Sequence, residues 1–321
     1  MSGRVGEEIR QPGIAIVWLE KYAIFEQAAD GVTRPLDYML LAEVLPNSRS
    51  DRYEVHGFRG AEATAFVTFG PGDRLAYVNE WLLDRKARSH DSPAELDIQF
   101  PNTTYRFEVE DAKGRHTLSL RLGGEDGITR FPNVPQIGMY QEGLSVRGVD
   151  STKAVELRWT GFATETTVTG DSPLFTENTI FFLLDNCRGE TVFSSGSGNK
   201  REPLSPKSTT ITIPSRVLEP ACRYTIFLSF INYRSTDTVR CDGGAIAGVA
   251  VNSICVELGF RTAGVAHDSR ECPPIEQRAN YRWPGKLRDA AGLVPWPVDA
   301  SGLLLQPRHE LISGADAQST D

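Results

Sequence analysis

The most constraining feature of this chain is a recurrence of apolar residues at alternate positions, broken every 8–15 residues or so by Gly, Pro, Asn and Asp. A period of two is the strand repeat, and frequent turn chemistry leaves room only for short antiparallel connections, so the chain reads as all-β. In the first half the expected strands are Ile14 to Phe25, Tyr38 to Leu45, Tyr53 to Phe58, Ala63 to Phe69, Tyr105 to Glu110 and His116 to Leu122. Turn sequences such as Pro46-Asn47-Ser48, Pro71-Gly72-Asp73 and Gly123-Gly124 bound them. Helical spacing appears twice. Arg74 to Arg88 carries Leu75, Val78, Leu82 and Leu83 on a helix-like repeat, and Ser92-Pro93-Ala94-Glu95 has the chemistry of a helix start running towards Phe100.

Arg130-Phe131-Pro132-Asn133-Val134-Pro135 reads as a stiff connector, because each proline fixes its own φ and pushes the preceding residue towards extended backbone. Strands resume after it: Gln136 to Tyr140, Ala154 to Gly161, Asn178 to Asp185, Glu190 to Ser194, Thr209 to Ile213, Arg223 to Asn232 and Ala247 to Phe260. That number and spacing fit an immunoglobulin-like sandwich. Beyond Ala263 the pattern stops. Residues 264–321 hold six of the 19 prolines, and Tyr281, Trp283 and Trp296 favour a tail draped on a domain over one left in water. The expected organisation is therefore a β-sandwich over 1–131, a connector at 132–135, a second sandwich over 136–263 and an irregular Pro-rich tail over 264–321.

Leu218-Glu219-Pro220-Ala221-Cys222-Arg223-Tyr224 resembles the Leu-x-Pro-x-x-x-Tyr passage into the sixth strand of fibronectin type III modules. The resemblance implies that Tyr224 forms a corner, its hydroxyl bonding to upstream backbone, that Trp159 is a core residue on an early strand, and that Thr210 to Pro214 is the strand before the corner. Leu96 to Tyr105 followed by Phe131 to Pro135 is similar to a tandem-sandwich arrangement in large bacterial surface proteins. Such sandwiches carry many functions, so the fold does not hand one over.

Charge narrows the classes. The net charge of −8 disfavours a nucleic-acid partner, since such a surface repels phosphate chains. The clearest apolar runs, Ile14 to Leu19 and Ala245 to Val251, fall far below the roughly 20 residues of a membrane-spanning helix, so no membrane insertion is expected. The first ten residues have charges of both signs and no apolar stretch, which reads as cytoplasmic as given, or secreted if the chain is a mature form.

Motifs for chemistry are sparse. The five histidines have no HxH, HExxH or HxxxH spacing, and the five cysteines form no CxxC pair, so neither a metal nor a cofactor is expected. Cys187, Cys222, Cys241, Cys255 and Cys272 read as small buried thiols, with a disulfide among the first four expected only of an exported chain. Asn102-Thr103-Thr104 fits a glycosylation sequon, which matters only in a secreted eukaryotic chain. Tyr140, Trp283 and Trp296 are the candidate ligand-lining residues, with tail anchoring as their bland alternative.

Two functions of different class remain. One is a non-catalytic binding or assembly module engaging a protein, with a glycan second. The alternative is a cofactor-independent small-molecule lyase, isomerase or cyclase working in a cleft between the sandwiches, whose acid and base would leave no linear motif. The sequence does not decide between them, nor does it state an oligomeric order.

Overall fold

A computed structural model of the chain describes residues 14–46, 64–69, 73–76, 90–111, 114–123, 129–163, 168–170, 175, 177–195, 203–241 and 244–264. In chain order the strands are β1 (Ile14–Gln27), β2 (Thr33–Pro46), β3 (Thr64–Phe69), β4 (Asp73–Ala76), β5 (Thr104–Asp111), β6 (Gly114–Arg121) and β7 (Ile137–Gln141). They continue as β8 (Leu144–Ser145), β9 (Val155–Trp159), β10 (Thr179–Asn186), β11 (Thr191–Ser194), β12 (Thr210–Ile213), β13 (Arg223–Cys241) and β14 (Gly244–Arg261). The helix α1 (Pro93–Gln99) lies between β4 and β5. It begins as its sequence requires: the Ser92 hydroxyl accepts from the Glu95 amide, and Pro93 occupies the first turn, where a missing N–H is harmless. The stretch from Arg74 departs from the helical expectation, for Asp73–Ala76 pairs with β3. The rest of that stretch, the expected strand at Tyr53 to Phe58 and the tail beyond Gly264 lie outside the described residues.

The all-β sandwich architecture holds, and its layout turns on the length of β13 and β14. They run 19 and 18 residues, about three times an ordinary strand. The first part of β13 and the last part of β14 belong to a two-sheet sandwich: β11, β10, β13 and β14 lie in one sheet, and β12, β9, β7 and β8 form the other. The remainder overhangs that sandwich. From the overhang into the sandwich β1 pairs in parallel with β14, from Ile16↔Ala247 to Gln27↔Leu258, and β2 pairs antiparallel with β1. The result is one six-stranded sheet, β11-β10-β13-β14-β1-β2, with a third sheet, β4-β3-β5-β6, beside it.

The tandem division at 132–135 is corrected at this point, because β1 and β2 precede the connector yet share a sheet with strands that follow it. Periodicity identifies strands but not their partners. The two apolar runs too short to cross a membrane are instead paired with each other: Ile16, Val17, Trp18 and Leu19 face Ala247, Gly248, Val249 and Ala250. Small residues in the second run allow close packing of the third sheet, since a Cβ on Gly248 would stand 2.9 Å from a Leu118 methyl and 3.1 Å from one of Leu120. Side chains of β13 also satisfy the edge of β6: Asp237 accepts from the Ser119 amide, and the Ser235 hydroxyl bonds both backbone groups of Arg121. A single apolar cluster therefore joins Leu118 and Leu120, Leu19 and Ala250, Ile226 and Leu228, and Leu157 and Trp159.

The tyrosine corner and the core tryptophan appear as expected. The Tyr224 oxygen accepts from the Glu219 amide at 2.7 Å, and Trp159 is buried on β9 with its indole N–H on the Ser208 carbonyl. Among the cysteines, Cys222, Cys241 and Cys255 carry thiols outside any disulfide, whereas Cys187 is disulfide-bonded, so the thiol reading fails at Cys187. No helix of the described residues is long and apolar enough to cross a membrane.

Candidate functional site

Strand β1 places two opposite charges side by side in an otherwise apolar sequence, Trp18-Leu19-Glu20-Lys21-Tyr22-Ala23. Alternation sends them to opposite faces of the six-stranded sheet. Both are buried, Glu20 at 2% and Lys21 at 0% exposure, in a setting where an unpaired charge would cost several kcal/mol.

Glu20 shares its face with Trp18, Tyr22, Tyr233, Ser253 and Cys255. The Trp18 indole N–H donates to one carboxylate oxygen at 2.8 Å, and the Ser253 hydroxyl donates to the other at very short range. Burial pushes the carboxyl up from 4.5 to about 7, and these two donors pull only part of the way back. Its neighbours are held neutral by the same cause: burial pushes the Tyr233 phenol and the Cys255 thiol each to about 12, and Tyr22 well above its ordinary value. Aromatic edges close around the group, with Trp18 edge-on to Phe175 and Tyr233 at 6.2 and 6.3 Å.

Lys21 faces the third sheet. Its Nζ donates to Asp97 Oδ1 at 2.5 Å, to Asn102 Oδ1 at 2.8 Å and to Thr129 Oγ1 at 3.2 Å. The Thr129 hydroxyl in turn lies 2.5 Å from Asp97 Oδ1 and 2.8 Å from Asn102 Oδ1. Burial lowers the amine from its ordinary value, and the Asp97 carboxylate opposes the shift. Three separate segments hold these groups: Asp97 on α1, Asn102 in the turn before β5, and Thr129 on the approach to the connector. Asn102 is seated by Gly123, where a Cβ would come within 2.4 Å of its own Cβ. Two buried asparagines continue the polar row across the sheet, Lys21 pairing with Asn252 and Asn252 with Asn232. Their amides donate to the carbonyls of Leu122 and Arg130, which fastens the connector along the row.

Of the residues expected to line a ligand site, Tyr140 lies on β7, half-buried, with the Arg158 guanidinium 4.3 Å from its ring centroid. Trp283 and Trp296 lie outside the described residues. At the start of the strand that carries Tyr140, the Gln27 side-chain amide exchanges two 2.7 Å hydrogen bonds with the Ile137 backbone and so ties β1 to β7. Among the described residues no group of three His, Cys, Asp or Glu converges as a metal site would require. The Glu20-Lys21 pair escaped sequence reasoning because it forms no motif. Its signal was two charges inside one of the chain's clearest strand patterns.

No protein-family model matches the chain, and no characterised protein matches it in sequence. Two solved structures are similar to it. The crystal structure of chicken CNTN1 FN1-FN3 domains is 13% identical, with a TM-score of 0.23, and the match covers 79% of this chain and 66% of that one. The biofilm associated protein BSP domain is 12% identical, with a TM-score of 0.17, and the match covers 80% of this chain and 30% of that one. The chain spans just under two thirds of the first and less than a third of the second.

Proposed function

We propose that this chain is a non-catalytic binding or assembly module that engages a protein partner and carries load to it. The observation behind this reading is the parallel pairing of β1 with β14. In a parallel pair, the chain entering β1 at Ile14 and the chain leaving β14 at Arg261 stand at opposite ends of one ladder. Tension between those points shears the whole row of hydrogen bonds together, whereas an antiparallel pair pulled from one end opens one bond at a time. The buried charges fit the same role, since Glu20 and Lys21 are both occupied by internal partners.

A protein is the favoured partner because β2 closes the sheet order and exposed apolar groups flank its start, Val32 just before it at 48% and Leu36 within it at 41%. An edge strand adds a further strand by main-chain hydrogen bonding, and apolar side chains beside it supply affinity. The test is capture from the native host by the full chain and by Leu36→Lys, with a glycan array run in parallel. A protein retained by the wild type and lost by the variant supports the reading. Blank results on both platforms at high concentration sink it, and sugar binding without protein capture replaces the partner class.

A further inference from the structure

Lys21, Asn102, Asp97 and Thr129 make a set of groups with more chemistry than a salt bridge needs. A lysine amine 2.8 Å from a carboxamide oxygen has the carboxamide carbon about one carbonyl bond length, roughly 1.2 Å, beyond that oxygen. Asp97 touches the amine, and the Thr129 hydroxyl reaches the oxygen of the same carboxamide. These are a nucleophile, an electrophile, a proton carrier and a donor for the developing oxyanion, gathered where the amine is shut from water.

The geometry points to an intramolecular isopeptide bond between Lys21 Nζ and Asn102 Cγ, formed by the folded chain on itself with Asp97 as its catalytic acid-base. Asp97 takes a proton from the ammonium, and the freed lone pair attacks Cγ while Thr129 donates to the oxygen as it gains charge. Asp97 then hands that proton to Nδ2 and takes the second proton of the attacking nitrogen, which the released ammonia carries away as ammonium, so Asp97 ends as a carboxylate. The Cγ–Nδ2 bond breaks, ammonia departs, and a secondary amide remains. One C–N bond forms and one breaks, with no change of oxidation state and no co-reactant. Burial lowers the amine's proton affinity and so favours the nucleophilic form. The product also removes the cost of a buried ammonium, because its amide N–H still has Asp97 as an acceptor. Lys21 and Asn102 stand 81 residues apart, so the bond ties β1 to the turn before β5.

Intact mass spectrometry of the full chain, with peptide mapping, tests the proposal. The wild type is expected to be lighter than its sequence by one ammonia and to yield one branched peptide joining Lys21 to Asn102. Asn102→Ala and Asp97→Asn are expected at full mass, each with a wild-type circular dichroism spectrum to show that the fold persists. A wild type at full mass, with Lys21 open to amine labelling after denaturation, overturns the proposal. So does ammonia loss without the branched peptide, which reports cyclisation of an asparagine to a succinimide elsewhere. A cross-link that survives in Asp97→Asn overturns the role given to Asp97.

Discussion

Replacing Glu20 by Gln removes a charge from one face of the central sheet and keeps its shape. The glutamine carbonyl accepts from the Trp18 indole, and its NH2 donates to the Ser253 oxygen, so both hydrogen bonds persist with the serine reversing roles. The wild-type carboxyl titrates at about 7 in the folded chain against 4.5 when solvated. At about 1.36 kcal/mol per unit, the buried carboxylate costs about 3 kcal/mol once ionised in both states. The folded pKa lies above the unfolded one, so folding favours the protonated acid. The penalty is small below pH 4.5, grows as pH rises from about 4.5 to about 7, and is complete above it. Tyr22, Tyr233 and Cys255 on the same face stay neutral across that window, because burial pushes each of them upwards. Urea unfolding followed by tryptophan fluorescence should find Glu20→Gln close to wild type at pH 4.5 and about 3 kcal/mol more stable at pH 8. A variant less stable than wild type at pH 8, or a difference that ignores pH, refutes the reasoning.

Three further outcomes follow from single contacts. Tyr224→Phe leaves the Glu219 amide without its acceptor and should cost about 1–2 kcal/mol in chemical denaturation, with the fold intact by circular dichroism. Trp159→Ala empties a site between the two sheets of the second-half sandwich and should cost about 3–5 kcal/mol by the same measurement. Maleimide labelling of the denatured, unreduced chain, read by peptide mapping, should modify Cys222, Cys241 and Cys255 and leave Cys187 untouched, and labelling after reduction should add Cys187, because the first three are outside disulfides while Cys187 is in one.

The strands were legible in the sequence wherever alternation or an apolar run met turn chemistry, which is why β1, β5, β7, β9, β10 and β12 fall close to their expected places. The ends of β13 and β14 were not legible. Thr236 to Arg240 lies beyond the expected strand end at Asn232, yet it pairs residue for residue with Val249 back to Ala245. Nor was the partner of β1 legible, because a strand pattern carries no label for its neighbour, and a pairing between residues more than 200 positions apart leaves no local trace. The tyrosine corner was visible because it is a local motif, with acceptor and donor five residues apart. The Glu20 and Lys21 clusters draw on segments separated by 76 to 233 residues, and no window of sequence contains them.

Two opposite charges in the middle of β1 also settle a problem that its apolar residues leave open. Ile16, Val17, Trp18 and Leu19 are apolar towards both faces, and so are Tyr22, Ala23 and Ile24, so apolar burial alone discriminates poorly between registers against β14. Slipping β1 by one residue exchanges the two faces. Glu20 would then lie beside Asp97, and Lys21 would enter the aromatic enclosure of Trp18, Phe175 and Tyr233, leaving both charges without their donors or acceptors at several kcal/mol apiece. The native register is thus selected over those that exchange the two faces by the cost of burying each charge on the wrong side. Exchanging the pair, Glu20→Lys with Lys21→Glu, keeps composition and net charge while reversing that selection. The exchanged chain is expected to lose its cooperative urea transition, whereas Glu20→Gln alone keeps it. A sharp, wild-type-like transition in the exchanged chain would show that register is set elsewhere in the β1–β14 pair.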